Sequence, residues 1–116
     1  MMNTNVPTTK ASNILRHVHF ESGFHFMENC VYNGMTSTSL NEFERHLQLA
    51  STKSIEHHFR REDFQKWIKN VLYDSQLSAQ LDMIDKNLSG EALRSEILKI
   101  IRNRIMELND ELFGKS

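Results

Sequence analysis

The side chains that could do chemistry are concentrated in one window of the chain, residues 54–68. Adjacent histidines, His57 and His58, are followed there by two arginines, an acidic pair and the only tryptophan. Imidazole and carboxylate groups are both zinc ligands, and zinc needs three or four of them. Neighbouring residues of a helix point about 100° apart, so the two histidines do not form the i, i+4 pair of helical zinc motifs. A metal site would therefore need one of them to meet His25 and an acid such as Asp63 through space.

A structural role for the histidines competes with this metal site. His58 shares one face of a short helix with Ile55 and Phe59, and that face is apolar. A histidine on such a face is more often placed at the edge of the core, with its ring bonded to a backbone carbonyl. We therefore expect the structural role to prevail over metal binding.

The arginine pair of the same window allows a second kind of site. Arg60 and Arg61 could bind a phosphate or carboxylate through guanidinium forks beside a helix start. The adjoining Glu62 and Asp63 would repel such an anion, so we expect one of them to pair with Arg61 instead. The candidate ligand-binding residues are thus His25, His57, Arg61 and Asp63.

The composition limits the class of protein. The chain has 116 residues, 39% of them hydrophobic and 25% charged, which fits one ordinary globular domain. A net charge of -1 does not resemble the basic surface of a nucleic-acid binder. Cys30 is the only cysteine, which fits a reducing cytoplasm, and no apolar run approaches the roughly 20 residues of a membrane span. The sequence therefore predicts a soluble, cytoplasmic protein without a nucleic-acid or membrane partner.

From Ser39 almost to its end, the chain has the pattern of successive helices. Ser39 and Glu42 form a capping-box pattern, Asp63 is placed to cap a later helix, and Asp74 or Ser75 is placed to cap the next. The clearest amphipathic stripe comprises Phe64, Trp67, Ile68, Val71 and Leu72. The tryptophan in the middle of that stripe should be core. The pattern predicts a mainly α domain over residues 13–116, an irregular bundle of four or five helices.

The N-terminal part has weaker signals. Residues 1–12 carry one charge and little to bury, which is typical of a disordered tail. A short helix is expected over Asn13–Phe20. Phe24-His25-Phe26 alternates like an extended aromatic segment laid across the bundle. Asn33-Gly34 is a turn signal, and both a short hairpin around it and an extended loop fit the pattern.

The last helix, predicted from Gly90 to Phe113, would be about 35 Å long. That length exceeds the radius of so small a domain, and the apolar stripe of the helix continues to Leu112. We therefore expect a protein partner or self-association there, with Ile105, Leu108 and Leu112 at the contact.

Three motifs follow one another along the chain: Phe24-His25-Phe26, Ser54-Ile55-x-His57-His58-Phe59 and Asp63-Phe64-x-x-Trp67. In this order they resemble a family of small prokaryotic helical domains of unknown function. The resemblance covers about residues 24–105 and implies no established activity. Only four residues separate His58 from Asp63 here, whereas many relatives have a longer insertion at that place. A ligand site formed by the insertion would be missing from this chain.

These observations favour a non-enzymatic binding or protein-interaction module without a cofactor. The sequence has no glycine-rich phosphate loop and no close metal triad. It also has no nucleophile and base at the spacing of a catalytic motif, so no catalytic residue is predicted. The alternative is an enzyme-like domain that binds a small ligand or a divalent metal with the cluster at residues 57–63.

Overall fold

The computed structural model describes residues 9–114, and helices dominate this part of the chain. Its elements, in order, are α1 Lys10–Leu15, a 3₁₀ turn Phe20–Ser22, β1 Phe24–Glu28, β2 Val31–Ser37, α2 Leu40–Leu49, α3 Thr52–Arg60, α4 Asp63–Asn70, α5 Ser75–Asp82 and α6 Gly90–Phe113. The prediction of a mainly α domain is confirmed, but residues 9–114 form six α-helices and not the predicted four or five. Of the two predicted alternatives for the N-terminal part, the structure has the antiparallel hairpin, in which β1 packs on α3 and β2 packs on α2, so the fold is not a pure helical bundle.

The hairpin turns at Asn29 and Cys30, and the position predicted for a turn, Asn33-Gly34, was wrong. Asn29 and Cys30 have φ values of 54° and 64°, the two positive values that a type I′ turn requires. Asn33-Gly34 lies inside β2, at an irregularity in its pairing with β1. Gly34 has a φ of 92° there. A bulge uses positive φ just as a turn does, so an Asn-Gly pair suits either one.

The first helix starts earlier than predicted, at Lys10–Leu15 instead of Asn13–Phe20. Its start is fixed by reciprocal caps, since the Ser12 N–H donates to Thr9 Oγ1 and the Thr9 N–H donates to Ser12 Oγ. This is a capping box in which serine takes the usual place of glutamate or glutamine. The last residues of the predicted tail are therefore helical, whereas residues 1–8 of that tail lie outside the described part.

Ser39 and Asp74 cap two later helices, but Glu42 does not complete the predicted capping box, since its carboxylate accepts from the Thr38 N–H and not from Ser39. The helix at Asp63 begins without a side-chain cap. Ser39 Oγ and Asp74 Oδ1 each accept the N–H three residues further along the chain. At α4 the cap position is taken by Glu62, with a φ of 63° and no side-chain cap bond. The Asp63 carboxylate points instead toward α3, where it becomes part of the candidate site.

The core joins the hairpin to the helices through an aromatic cluster. The ring of Phe24 on β1 lies 5.5 Å from that of Phe43 on α2 and 5.1 Å from that of Phe64 on α4, measured between centroids. The Trp67 ring lies 5.8 Å from Phe24, and its indole N–H donates to the Ser22 carbonyl at 2.8 Å. Trp67 is 7% exposed, which confirms its predicted place in the core.

A buried ion pair joins α5 to α6. Arg104 Nε lies 2.8 Å from Asp74 Oδ2, and Arg104 Nη2 lies 3.2 Å from Asp74 Oδ1. Both side chains are almost fully buried. Burial acts to lower the pKa of Arg104, but the bonds to Asp74 and Glu107 outweigh it, so the pKa is raised. Asp74 thus serves two helices, as the N-cap of α5 and as the counter-ion for α6.

Candidate functional site

His58 is the buried centre of the histidine window. It is 3% exposed on the inner side of α3, and its ring centroid lies 4.8 Å from that of Phe24 and 5.7 Å from that of Phe64. The Met27 N–H donates to His58 Nε2 at 2.9 Å. On the other side of the ring, His58 Nδ1 lies 2.9 Å from Asp63 Oδ2. Because Nε2 accepts a bond, the proton of the neutral ring resides on Nδ1 and is donated to Asp63.

The predicted core-edge position of His58 is confirmed, but the predicted partner, a backbone carbonyl, was wrong. The ring accepts from an amide of β1 instead. The carbonyl of the same residue, Met27, is already bonded, because Ser54 Oγ donates to it at 2.6 Å. Ser54 and His58 lie one turn apart on α3 and together hold both backbone polar groups of Met27. This part of the histidine window therefore fastens the hairpin to α3.

The environment of His58 links its protonation to folding. Burial lowers the pKa of the imidazole below its ordinary value of 6.5, although the bond to Asp63 and its charge act in the opposite direction. The unfolded chain keeps the ordinary pKa and so binds the proton more tightly. The stability contributed by neutral His58 is therefore complete above about pH 6.5 and is lost as the pH falls toward the folded pKa.

We expect His58→Gln to flatten the dependence of stability on pH. Glutamine can offer an N–H to Asp63 and a carbonyl to the Met27 N–H, but it does not titrate. When the pH falls from about 7 to about 5, the wild type should lose more stability than the variant, because only the wild type takes up an additional proton at this position on unfolding. Denaturant unfolding at a series of pH values measures the difference. His46, whose pKa burial also lowers, is present in both proteins and cancels. Equal losses in both proteins would refute the link.

Two of the candidate metal ligands, His57 and Asp63, lie close together. The possible metal-binding atoms of His57, His58 and Asp63 are within 4.8 Å of one another. A metal on His58 Nδ1 would move the ring proton to Nε2, where it would face the N–H of Met27. A metal on Nε2 would need the space that the Met27 N–H occupies. The bonds of His58 therefore count against a divalent metal in this cluster.

His25 is not brought to the cluster. Successive residues of a strand point to opposite faces, so His25 is turned away from the face of β1 that carries Phe24. His25 Nδ1 lies 2.8 Å from Thr36 Oγ1 on β2. Its ring contacts those of Phe20 and Tyr32, with centroids 5.3 Å and 5.8 Å away. His25 thus belongs to the outer surface of the hairpin.

Arg61 pairs with Asp63, as the sequence predicted. The distance from Arg61 Nε to Asp63 Oδ2 is 3.1 Å, and the arginine side chain is 64% exposed. Such an exposed pair contributes at most about 1 kcal/mol. The same Asp63 oxygen also accepts from His58, so one carboxylate holds the ring and the guanidinium together.

Two groups of surface side chains were missed by the sequence analysis. One is the pair Met106 and Phe113, which are exposed beside the predicted apolar contact on the last turns of α6. These residues are seven apart, and this helical spacing could have revealed them. The other is a basic groove around Arg16, which forms only where the segment after α1 meets the end of α4. No local pattern predicts that meeting.

No family model, curated protein or solved structure matches this chain. No helix within residues 9–114 is both long enough and apolar enough to cross a membrane. The function is therefore argued from the geometry alone.

Proposed function

We propose that the chain is a non-enzymatic protein-interaction module that pairs with a second copy of itself through the C-terminal end of α6. The observation that carries the proposal is an exposed apolar surface on the last turns of this helix. Met106 is 64% exposed, Leu112 37% and Phe113 78%, and Ile105 is partly buried. We call Ile105, Met106, Leu112 and Phe113 the terminal patch.

The terminal patch lacks Leu108 of the predicted contact and adds Met106 and Phe113. Leu108 was expected to take part, but it is 0% exposed because it faces the core of its own protomer. At about 100° per residue, Ile105 and Leu112 lie beside Leu108 on the helix, and Met106 and Phe113 lie beyond them. The terminal patch therefore extends from the edge of the core to solvent, with the polar Asn109 between its four members.

Symmetry and size set the expected strength of the association. A two-fold axis would place the terminal patches of two copies face to face, so that each patch covers the other. Stable interfaces usually bury about 1,200 Å² or more. Four side chains on each copy supply only part of that area, so we expect a weak dimer with a Kd of about 10 μM.

Light scattering across micromolar concentrations should show a mass that rises from monomer toward dimer. The double variant Met106→Glu, Phe113→Glu should stay monomeric, because the new charges would be buried without partners. Met83→Glu is the matched control, since Met83 is an exposed methionine outside the terminal patch and its replacement should leave the association intact. A wild-type mass that stays monomeric at every concentration would contradict the proposal.

The alternative, an enzyme-like domain that binds a small ligand or metal at residues 57–63, has less support. The buried member of that cluster, His58, uses both ring nitrogens inside the fold. The resemblance to small prokaryotic domains does not favour either function, because it implies no activity.

A further inference from the structure

A groove of 520 Å³ lies where the segment after α1 meets the end of α4. Three of its lining residues are basic, Arg16, His17 and His19, and none of the lining residues within the described chain is acidic. Its volume is within the range of small-molecule sites, about 300–1,000 Å³. A groove with this charge favours an anionic ligand.

Arg16 brings a positive charge to the groove that no carboxylate neutralises. Three arginines of residues 9–114 are at least partly buried: Arg16, Arg94 and Arg104. Arg94 and Arg104 bind carboxylates, whereas none of the ion pairs in this part of the chain includes Arg16. Arg16 is held by neutral carbonyls instead, with Nη1 2.6 Å from the Asn13 oxygen and Nη2 2.8 Å from the Val71 oxygen. These bonds fix the guanidinium in place and leave its charge unpaired.

His17 is oriented by a chain of hydrogen bonds behind the groove. The Thr38 hydroxyl donates to Glu42 Oε1 at 2.9 Å, so it must accept from His17 Nδ1, which also lies 2.9 Å away. With Nδ1 used in this way, Nε2 remains for a ligand. Nε2 is the ring atom through which the imidazolium form of His17 can donate an N–H to an anion.

Tyr73 gives the groove an aromatic wall in an uncommon backbone conformation. Its φ is 66°, a left-handed value that residues other than glycine and asparagine seldom adopt. The Arg16 guanidinium carbon lies 5.2 Å from the centre of the Tyr73 ring, and the residue is 60% exposed. The ring therefore supports the guanidinium with one face and leaves area for a ligand.

We propose that this groove binds a phosphate monoester. The phosphate is held by Arg16, His17 and His19, and the rest of the ligand lies against the exposed part of Tyr73. A phosphate group matches this set because it carries up to two negative charges and three strong acceptor oxygens, whereas a carboxylate offers one charge and two oxygens. The site is separate from the terminal patch and from the His58 cluster.

Histidine NMR spectra and calorimetry of the full chain test the proposal with inorganic phosphate, adenosine monophosphate and acetate as probes. Phosphate and the nucleotide should shift the His17 and His19 ring signals in a saturable way, with a Kd of about 1 mM, and acetate should bind more weakly. Arg16→Gln should weaken phosphate binding at least about tenfold, as expected for loss of a charge-assisted bond. Arg60→Gln, at an exposed arginine outside the groove, should leave binding unchanged.

Two further variants keep the test valid if Arg16→Gln fails to fold. His19→Gln changes an exposed side chain and should weaken phosphate binding several-fold without unfolding. Tyr73→Gly relieves the left-handed backbone while removing the ring, so it should weaken binding of the nucleotide more than binding of inorganic phosphate. The proposal is overturned if neither ring signal shifts, if acetate binds as well as phosphate, or if Arg60→Gln weakens binding as much as the groove variants. A nucleotide affinity unchanged by Tyr73→Gly would overturn the role of the ring.

Discussion

The Asp74→Ser variant is expected to have a free energy of unfolding about 3 kcal/mol lower than that of the wild type. Serine is a good N-cap, so the start of α5 is preserved and the effect reports the ion pair. Arg104, only 4% exposed, would lose both contacts with the Asp74 carboxylate. Its remaining partner, Glu107, is half exposed and contacts only one nitrogen. The guanidinium would then be a buried charge without adequate compensation, and urea unfolding at neutral pH measures the loss.

The double variant Asp74→Ser, Arg104→Met distinguishes this cause from a general loss of packing. Replacing a buried ion pair with an apolar side chain of similar length is often neutral or stabilising. The double variant should therefore recover most of the stability that Asp74→Ser alone loses. If it is no more stable than the single variant, the uncompensated charge on Arg104 is not the reason for the loss.

Trp67→Ala should lower the free energy of unfolding by about 3–5 kcal/mol, as a large-to-small change in a closed core. The ring packs against Phe24 and Phe43, with centroids 5.8 Å and 5.4 Å away, and it binds the Ser22 carbonyl. Domains of this size are stable by only about 5–15 kcal/mol. The variant should therefore unfold at much lower denaturant concentration than the wild type.

A conservative change at the same position separates packing from hydrogen bonding. Trp67→Phe keeps most of the apolar ring but leaves the Ser22 carbonyl without its donor, which should cost about 1–2 kcal/mol. Phe20→Ala serves as a matched aromatic control at an exposed position outside the terminal patch and should change the midpoint little. An unchanged midpoint for Trp67→Ala would place this residue outside the core.

Local signals predicted the parts of the fold that depend on neighbours in sequence. The stripe of α4 fixed the buried side of Trp67, and Ser39 capped its helix as expected, because both effects act within one or two helical turns. The hairpin was harder to place. Cysteine seldom adopts positive φ, so nothing in the sequence indicated a turn at Cys30. Asn33-Gly34 has the residue types of a hairpin turn, but it lies at an irregularity inside β2.

In the candidate site, too, local sequence predicted some features and tertiary contacts decided the others. The burial of His58 followed from the helix face that it shares with Ile55 and Phe59, but its bond to Met27 spans 31 positions and no spacing could reveal it. Arg104 could have been found. It falls between Ile101 and Leu108 at the spacing of the buried stripe of α6, where an arginine needs a buried acid. The identity of that acid depends on how α5 meets α6, which is a tertiary contact.

The packing of α1 on α6 has a consequence for the order of events during synthesis on the ribosome. The aromatic cluster of the hairpin, α2 and α4 lies within residues 24–67, so all of its side chains emerge before α6. The contacts of Ala11 and Ile14 with α6 form only after α6 has been made, and closing so long a loop is slow because chain entropy is lost before the contacts form. A nascent chain halted before α6 would therefore leave the apolar side of α1 uncovered, the kind of surface that chaperones protect from aggregation.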